Sequence, residues 1–289
     1  MRNPLSSSRF RSLFITFVTL LTLVSLATAA SAEEVAKETT VKAPEAKKTK
    51  TTLPFAPGEK LTYDILVMGA RAGSGVLSVV DKRDFRGESV ISLAGTLQSE
   101  GFWKNLYPVK DTMLSLLSPK TFAPLYTEMK ISEKNTKRNI RMSFTGAKNE
   151  VSGVKSTDGK IKKFKKKAPA ETQDMLSWFY RLRTTDLEVG KSFKFKGHSG
   201  NFLYTISCKV DRTEEVWTRL GFMDAYVVDA TITRDGSKDF KRETTFWVGT
   251  DARRIPIKMA FEFSLGKIEG VLAETHFPEG SGTTTAQVK

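Results

Sequence analysis

The chain has 289 residues and carries 46 Lys and Arg against 32 Asp and Glu, a formal net charge of +14. A single cysteine excludes an internal disulfide framework, and two histidines fit none of the usual zinc spacings, so we expect no metal and no cofactor. So positive a charge favours a polyanionic partner, which is nucleic acid for an intracellular protein and anionic lipid or an acidic polymer for an exported one.

The N-terminus decides between those two compartments. Arg2, Arg9 and Arg11 precede an apolar run, 13–26, and small residues follow up to Ala32. This pattern is typical of a secretory signal peptide spanning residues 1–32. The apolar run is shorter than the roughly 20 residues that span a bilayer, so we expect no membrane span after cleavage. Cleavage removes three arginines and no acid, which takes +14 to +11. We therefore predict an exported, periplasmic protein that does not bind nucleic acid.

The two ends of the exported chain differ in composition from its middle. Residues 33–52 are rich in Lys, Glu, Thr and Ala and contain no aromatic side chain. Such a segment buries too little apolar surface to offset the entropy lost on ordering, so we predict a flexible tether. The tail 279–289 is interpreted as disordered in the same way. The intervening residues, 53–278, are predicted to form a single β-rich domain.

Apolar residues alternate with polar ones through most of this domain, which is the period of a half-buried β-strand. The first two strand signals, "KLTYDILVMG" and "SGVLSVVDKR", flank a glycine-rich stretch, 70–75, that we interpret as a turn. Four later strand signals follow one another through short turns such as Asp235-Gly236. Short connections between consecutive strands indicate an antiparallel meander.

One segment has helical spacing instead. In "TQDMLSWFYRLRTTDL", Leu176, Phe179 and Leu182 recur on one helical face, and Thr172 or Asp174 could cap the N-terminus. We predict a helix over about 173–184. The predicted fold class is mainly β (α+β): a large curved antiparallel sheet or partly closed barrel, with one helix packed on its concave face.

The stretch "KIKKFKKK" places lysines on both faces of any strand it forms. Such a strand covers no core, so we interpret it as an edge strand or protruding hairpin whose lysines prevent edge-to-edge association. The alternative is contact with an anionic lipid surface or lipopolysaccharide. The residues that would make this contact are Lys160, Lys162, Lys163, Lys165, Lys166 and Lys167.

No catalytic motif is present, and a serine nucleophile elbow in particular is missing, so we expect no enzymatic activity. Aromatic residues are the remaining candidates for a binding site. Phe102, Trp103 and Tyr107 lie in one short stretch; they either belong to the core or line a groove suited to acyl chains or sugar faces. With Trp178 they form the candidate ligand-binding set.

Several motifs together resemble a known family. "LPFAPGEKLTYDI", "QDMLSWFYRLR" followed by "LEVGKSF", and "TFWVGTDARRIPIKM" occur in this order. The chain resembles the exported bacterial domain-of-unknown-function family DUF3108, which implies an envelope location, a β-rich fold and no assigned activity. The last motif contains Trp247, Asp251, Arg254 and Pro256, which we interpret as a structural turn.

Three functional hypotheses follow. The first is a non-enzymatic envelope protein that binds an amphipathic lipid or glycolipid in the concavity of the sheet. The second is a scaffold or accessory protein for another envelope protein or an acidic glycan, which predicts a filled concavity. The third is a hydrolase with paired carboxylates, which requires at least two acids with perturbed pKa values inside the sheet.

Overall fold

The computed structural model describes residues 53–263 and 266–278, and these residues form one antiparallel sheet of 14 strands. The strands are β1 Lys60–Val67, β2 Ala70–Phe85, β3 Glu88–Ser99, β4 Lys110–Leu117, β5 Pro124–Glu133, β6 Thr136–Thr145, β7 Glu150–Thr157, β8 Lys160–Lys167, β9 Ser192–Ser199, β10 Phe202–Thr218, β11 Gly221–Arg234, β12 Lys241–Gly249, β13 Pro256–Phe263 and β14 Gly266–His276. The helices are α1 Gly101–Leu106, α2 Ser177–Arg183 and a 3-10 turn at Gly146–Lys148. The signal peptide, the tether and the tail predicted above lie outside the described residues.

Two meanders make up the sheet. Strands β1 to β8 follow one another in space, and so do β9 to β14, while β14 pairs with β1 and joins the two halves. The sheet is not closed, because β8 and β9 are its two edges. The predicted mainly β class and the antiparallel meander are confirmed. Within the described part of the chain, no helix is long and apolar enough to cross a membrane.

The predicted turn at 70–75 is wrong. These residues begin β2, and the turn lies one step earlier, where Met68 and Gly69 both have positive φ. Gly73 has a different purpose, since a Cβ there would lie 2.0 Å from the carbonyl oxygen of Gln98 on β3. A glycine at this place permits close approach of two strands rather than a turn.

The two sheet edges approach each other across the segment that precedes α2. The main chain of Gln173 forms a parallel bridge with Gly197 on β9. The ring of Phe164 on β8 stacks on the ring of His198 on β9, with centroids 5.9 Å apart. The segment before α2 therefore covers the end of the β9 edge around Gly197, whereas the lysines of β8 are exposed.

The core lies inside the curved sheet. Alternate residues of β1, among them Leu61 and Tyr63, point inward and are buried. The ring of Phe246 on β12 contacts the ring of Trp178 on α2, and their centroids lie 4.6 Å apart. The predicted helix is present but begins at Ser177, later than expected, because the residues before it form a capping turn. The sequence did not indicate α1, a six-residue helix without a buried side chain.

Candidate functional site

Asp174 attaches the N-terminus of α2 to the inside of the sheet. One carboxylate oxygen accepts hydrogen bonds from the main-chain N–H groups of Leu176 (2.8 Å) and Ser177 (2.6 Å). The other accepts from the hydroxyl of Ser115 on β4 at 2.5 Å and from the hydroxyl of Thr127 on β5. The capping residue is therefore Asp174 and not Thr172, and the same carboxylate fixes the helix to two strands.

Arg183 attaches the other end of α2. Its guanidinium donates to both carboxylate oxygens of Glu59, at 2.5 and 2.9 Å, and the two side chains are 1% and 2% exposed. It also donates to the main-chain carbonyls of Pro54 (2.8 Å) and Arg253 (3.0 Å). This buried cation is fully paired, so it holds the helix in place and is not available to a ligand.

Between α2 and the sheet lies a cavity of about 120 Å³. Its wall is mainly apolar and includes Leu77, Leu97, Met113, Met175, Phe179 and Met259. These residues come from β2, β3, β4, α2 with its preceding turn, and β13. Methionine side chains have three rotatable bonds and adapt to different shapes, so this wall can change its outline at low cost.

Two glycines help to create this space. Gly75 on β2 and Gly95 on β3 both line the cavity, and neither has positive φ. A Cβ at either position would come no closer than 3.4 Å to a neighbouring atom, which is ordinary van der Waals contact. Neither backbone conformation nor close strand approach requires glycine here. The missing side chains leave room inside the sheet.

The wall also carries two buried polar side chains with unpartnered atoms. Asp111 on β4 is 2% exposed, and its Oδ1 accepts a hydrogen bond from the N–H of Ser132 at 2.8 Å. Its Oδ2 has no hydrogen-bond partner among the described residues, and neither ring nitrogen of His198, 1% exposed, has one. The cavity is thus apolar with two polar positions.

Burial shifts the pKa values of these groups in opposite directions. It raises the pKa of Asp111 to about 7, and the negative charge of the neighbouring Glu133 adds to the effect. Burial also raises the pKa of Glu133 to about 7, although Arg138 pairs with it at 3.0 Å. The pKa of His198 falls to about 4 through burial, with a smaller contribution from Lys166. The imidazole is therefore uncharged at neutral pH.

We expect the Asp111→Asn variant to reveal this shift as a change in pH-dependent stability. The folded protein holds this proton up to about pH 7, whereas the unfolded chain releases it near its ordinary pKa of 3.8. Raising the pH from about 4 to 7.5 therefore costs the wild type stability at this carboxyl. The variant's free energy of unfolding, relative to wild type, should rise by about 2 to 4 kcal/mol over that range.

Urea unfolding at several pH values measures this difference. The substitution Asp239→Asn, at an exposed carboxylate, is the matched control for the change of side chain. His198 changes stability with pH in the opposite direction. Because its pKa is depressed, the free energy of unfolding rises between pH 4 and 6.5 in the wild type and in both variants. An Asp111→Asn curve parallel to the wild-type curve would show that this carboxyl titrates normally.

The structure separates the four candidate ligand-binding aromatics. Trp178 lines the cavity, and Trp103 packs against the same core from α1. Tyr107 is buried outside the cavity wall, with the ammonium of Lys134 5.8 Å from its ring centroid. Phe102 is 71% exposed on α1. Only Trp178 of this set therefore faces the cavity.

The lysine-rich stretch forms β8, and its predicted position at a sheet edge is confirmed. All six lysines are exposed, and Lys165 pairs with Glu150 at 2.8 Å. Phe164 alone turns towards the core, where it covers His198. Contact of these lysines with an anionic surface stays a prediction.

The four turn-motif residues all have structural contacts. Asp251 accepts a hydrogen bond from the N–H of Arg254 at 3.1 Å, and Arg254 has the positive φ of a turn residue. The indole of Trp247 donates to Glu214 at 2.6 Å, and the carbonyl of Pro256 accepts from the hydroxyl of Tyr63 at 2.8 Å.

Sequence reasoning missed the residues that shape the cavity. His198 was considered only as one of two histidines without zinc spacing, and it lies within β9. Gly95 and Asp111 each sit in an alternating strand pattern in which nothing distinguishes them from their neighbours. A glycine or an acid at an inward position of a strand is the one local signal that could have identified them.

Comparison with solved structures gives matches of low sequence identity, and the first of these shows similarity in fold. A crystal structure of a beta-barrel-like protein of the domain of unknown function DUF1849 from Brucella abortus is 10% identical, with a TM-score of 0.51, over 78% of this chain and 99% of that chain. A predicted exported protein with a YmcC-like fold from Bacteroides fragilis is also 10% identical, with a TM-score of 0.36, over 78% of this chain and 98% of that one. A predicted lipoprotein from Parabacteroides distasonis is 8% identical, with a TM-score of 0.35, over 79% and 100%.

No curated protein matches the chain. The family model described as "Protein of unknown function (DUF3108)" matches residues 62–273, which is most of the β-rich domain. This match agrees with the resemblance noted in the sequence motifs, and the chain belongs to the DUF3108 family.

Proposed function

We propose that this protein is a non-enzymatic, periplasmic binding protein that holds the apolar part of an amphipathic envelope molecule inside its sheet. The observation that carries the proposal is the apolar cavity of about 120 Å³ between α2 and the strands. An apolar cavity of roughly 150 Å³ in another protein suffices to bind benzene. The space therefore suits the end of a single hydrocarbon chain.

The two glycines on the cavity wall support a binding role. Alanine at Gly75 and Gly95 would fill part of the space without a clash, yet the chain has glycine at both positions. A hydrocarbon that enters the space gains contacts with the apolar wall, and the flexible Met113, Met175 and Met259 can move to admit a longer chain.

The carboxylates on the wall favour binding over hydrolysis. Asp111 and Asp174 both line the cavity, but Asp174 is occupied by four hydrogen-bond donors. Glu133 has a raised pKa, yet it pairs with Arg138 and does not line this cavity. A general acid and base both need free access to the substrate. Among these carboxylates, only Asp111 has such access. A hydrolytic pair of carboxylates is therefore not supported.

The double variant Gly75→Ala/Gly95→Ala is expected to be more stable and to bind less. Each alanine reduces the entropy of the unfolded chain, which adds roughly 0.5 to 1 kcal/mol per site, while both methyl groups occupy the cavity. We expect the affinity for n-heptane, measured by NMR titration, to fall at least tenfold. If the double variant is more stable than wild type but binds less heptane, the two glycines keep this space open for a ligand.

Gly146→Ala is the matched control. Its Cβ would make an ordinary contact, 3.5 Å from Ala170, and Gly146 lies outside the cavity wall. This variant should keep the wild-type affinity for heptane. Equal heptane affinity in the double variant and the wild type would place the bound hydrocarbon elsewhere and refute the proposal.

A partner-binding role is the second candidate, because the tip of the β10–β11 hairpin is apolar. Trp217 and Phe222 are cross-strand partners, 64% and 70% exposed, and Leu220 between them is 41% exposed. Exposed aromatic residues in one patch are typical of interaction sites. Crosslinking in cells through a photoreactive residue at position 220 tests this role; a single specific adduct supports it, and the absence of any adduct removes it.

A further inference from the structure

The two unpartnered polar groups on the cavity wall indicate what kind of hydrocarbon the protein binds. More than about 90% of buried polar atoms in folded proteins have a hydrogen-bond partner, and each exception calls for an explanation such as water or a ligand. His198 and Asp111 are both at least 98% buried and both line the same cavity. Leaving such groups unpaired is costly, so a ligand that pairs with them gains affinity.

The surroundings of His198 hold its ring in one orientation. Phe164 stacks on one face at 5.9 Å, and Phe144 meets the ring edge-to-face at 6.4 Å, measured between ring centroids. The main-chain N–H of His198 donates to the carbonyl of Gln173 at 2.8 Å, which fixes the backbone as well. The ring is positioned by apolar contacts alone, so both nitrogens keep their hydrogen-bonding capacity.

An uncharged imidazole offers one N–H donor and one acceptor nitrogen. A hydroxyl group and a protonated carboxyl group each contain a donor and an acceptor, and so match it. A phosphate does not match, because it carries negative charge. The buried guanidinium groups of Arg183 and Arg138 are paired with Glu59 and Glu133, and neither lines the cavity. A phosphate in this space would be desolvated beside Asp111 without a counter-ion, which is very costly.

We propose that the cavity binds a hydrocarbon chain bearing an uncharged hydrogen-bonding group, a hydroxyl or a protonated carboxyl, and that this group pairs with the imidazole of His198. The inference rests on the proposed function and adds the chemical class of the ligand to it. The polar group of the ligand enters the protein together with the hydrocarbon chain. We therefore do not expect the cavity to select a charged phosphate head group.

Three probes with short hydrocarbon chains test this inference: n-heptane, 1-hexanol and hexyl phosphate. Heptane and hexanol have equal numbers of heavy atoms, so the ratio of their affinities reports on the hydroxyl. The substitution His198→Phe keeps an aromatic ring between Phe164 and Phe144 and removes both nitrogens. We expect it to lower the hexanol affinity about tenfold relative to the heptane affinity, as the loss of one buried hydrogen bond implies. Hexyl phosphate should bind more weakly than either probe in both proteins.

Nitrogen NMR on the protein with its native His198 gives a second readout that does not depend on the folding of that variant. The chain has two histidines, so His276→Asn leaves His198 as the one imidazole signal. Hexanol should shift the ring ¹⁵N resonances of His198, and heptane should leave them nearly unchanged. Equal responses to the two probes would overturn the inference.

The possible outcomes separate this inference from the proposed function. If neither heptane nor hexanol binds, the proposed function fails and the inference fails with it. If both bind but His198→Phe leaves their affinity ratio unchanged, the inference is wrong and the proposed function stands. Preferential binding of hexyl phosphate would likewise contradict the inference and indicate a charged head group inside the sheet.

Discussion

Glu59→Gln should lower the free energy of unfolding by about 3 to 5 kcal/mol, the usual cost of leaving a buried charge without its partner. Arg183 and Glu59 are 1% and 2% exposed, and they share two hydrogen bonds. Glutamine retains an oxygen that can accept from Arg183, but the positive charge of the guanidinium then has no neutralising carboxylate. Arg183 links helix α2 to the residues before β1 and to the β12–β13 turn. The variant should therefore weaken the attachment of these three segments to one another.

Urea unfolding followed by fluorescence measures this loss. The matched control is Glu243→Gln on β12, since Glu243 pairs with Lys241 at 2.7 Å but is 67% exposed. Surface pairs of this kind contribute little to stability, because solvent screens them. If Glu59→Gln lost no more stability than Glu243→Gln, burial would not strengthen the Arg183 pair.

Asp174→Ala should cost at least about 3 kcal/mol and should also weaken hydrocarbon binding. The substitution removes an N-cap worth about 1 kcal/mol and leaves two buried hydroxyl groups, those of Ser115 and Thr127, without their acceptor. Because α2 forms one side of the cavity, release of its N-terminus disturbs the cavity wall as well. Thermal unfolding and heptane titration of the same sample test both expectations.

The exposed Asp84→Ala substitution is the control for this prediction. Asp84 accepts one main-chain hydrogen bond, from Gly87 at 3.1 Å, in a surface turn. Its loss should cost less than about 1 kcal/mol and should leave heptane affinity unchanged. An Asp174→Ala variant as stable as this control would show that the buried carboxylate does not anchor α2.

Most of the fold could be predicted because most strands bury one face. The alternation in β1, where Leu61, Tyr63 and Ile65 face inward, is visible in the sequence. The helix could be predicted as well, since its apolar spacing differs from that of the strands. Its start could not, because Asp174 satisfies main-chain groups and two distant hydroxyls at once, and those hydroxyls lie on β4 and β5.

The errors in the fold prediction have local causes. Glycine-rich residues 70–75 look like a turn, yet Gly73 lies in a strand where Gln98 approaches too closely for any side chain. Helix α1 is too short for helical spacing to show, and its residue Phe102 is exposed rather than buried. Composition alone does not distinguish these cases from their alternatives.

The candidate site could not be predicted because its parts are distant in sequence. Gly95 lies against Leu176, since a Cβ at this glycine would be 3.4 Å from the Leu176 side chain, and Leu176 comes about 80 residues later in the chain. His198 becomes buried only when Phe164 of β8 covers it across the open edge of the sheet. The cavity forms through these long-range contacts, so no single segment of the sequence could reveal it.

Native mass spectrometry of the exported protein, purified under gentle conditions, tests the central claim that the sheet holds a hydrocarbon ligand. We expect a fraction of the protein to carry one additional molecule, which organic extraction releases and which contains a hydrocarbon chain with a hydroxyl or carboxyl group. The Gly75→Ala/Gly95→Ala variant from the same preparation should carry much less of it. Wild-type protein that shows only the mass of its own chain, and still takes up no heptane or hexanol, would contradict the account.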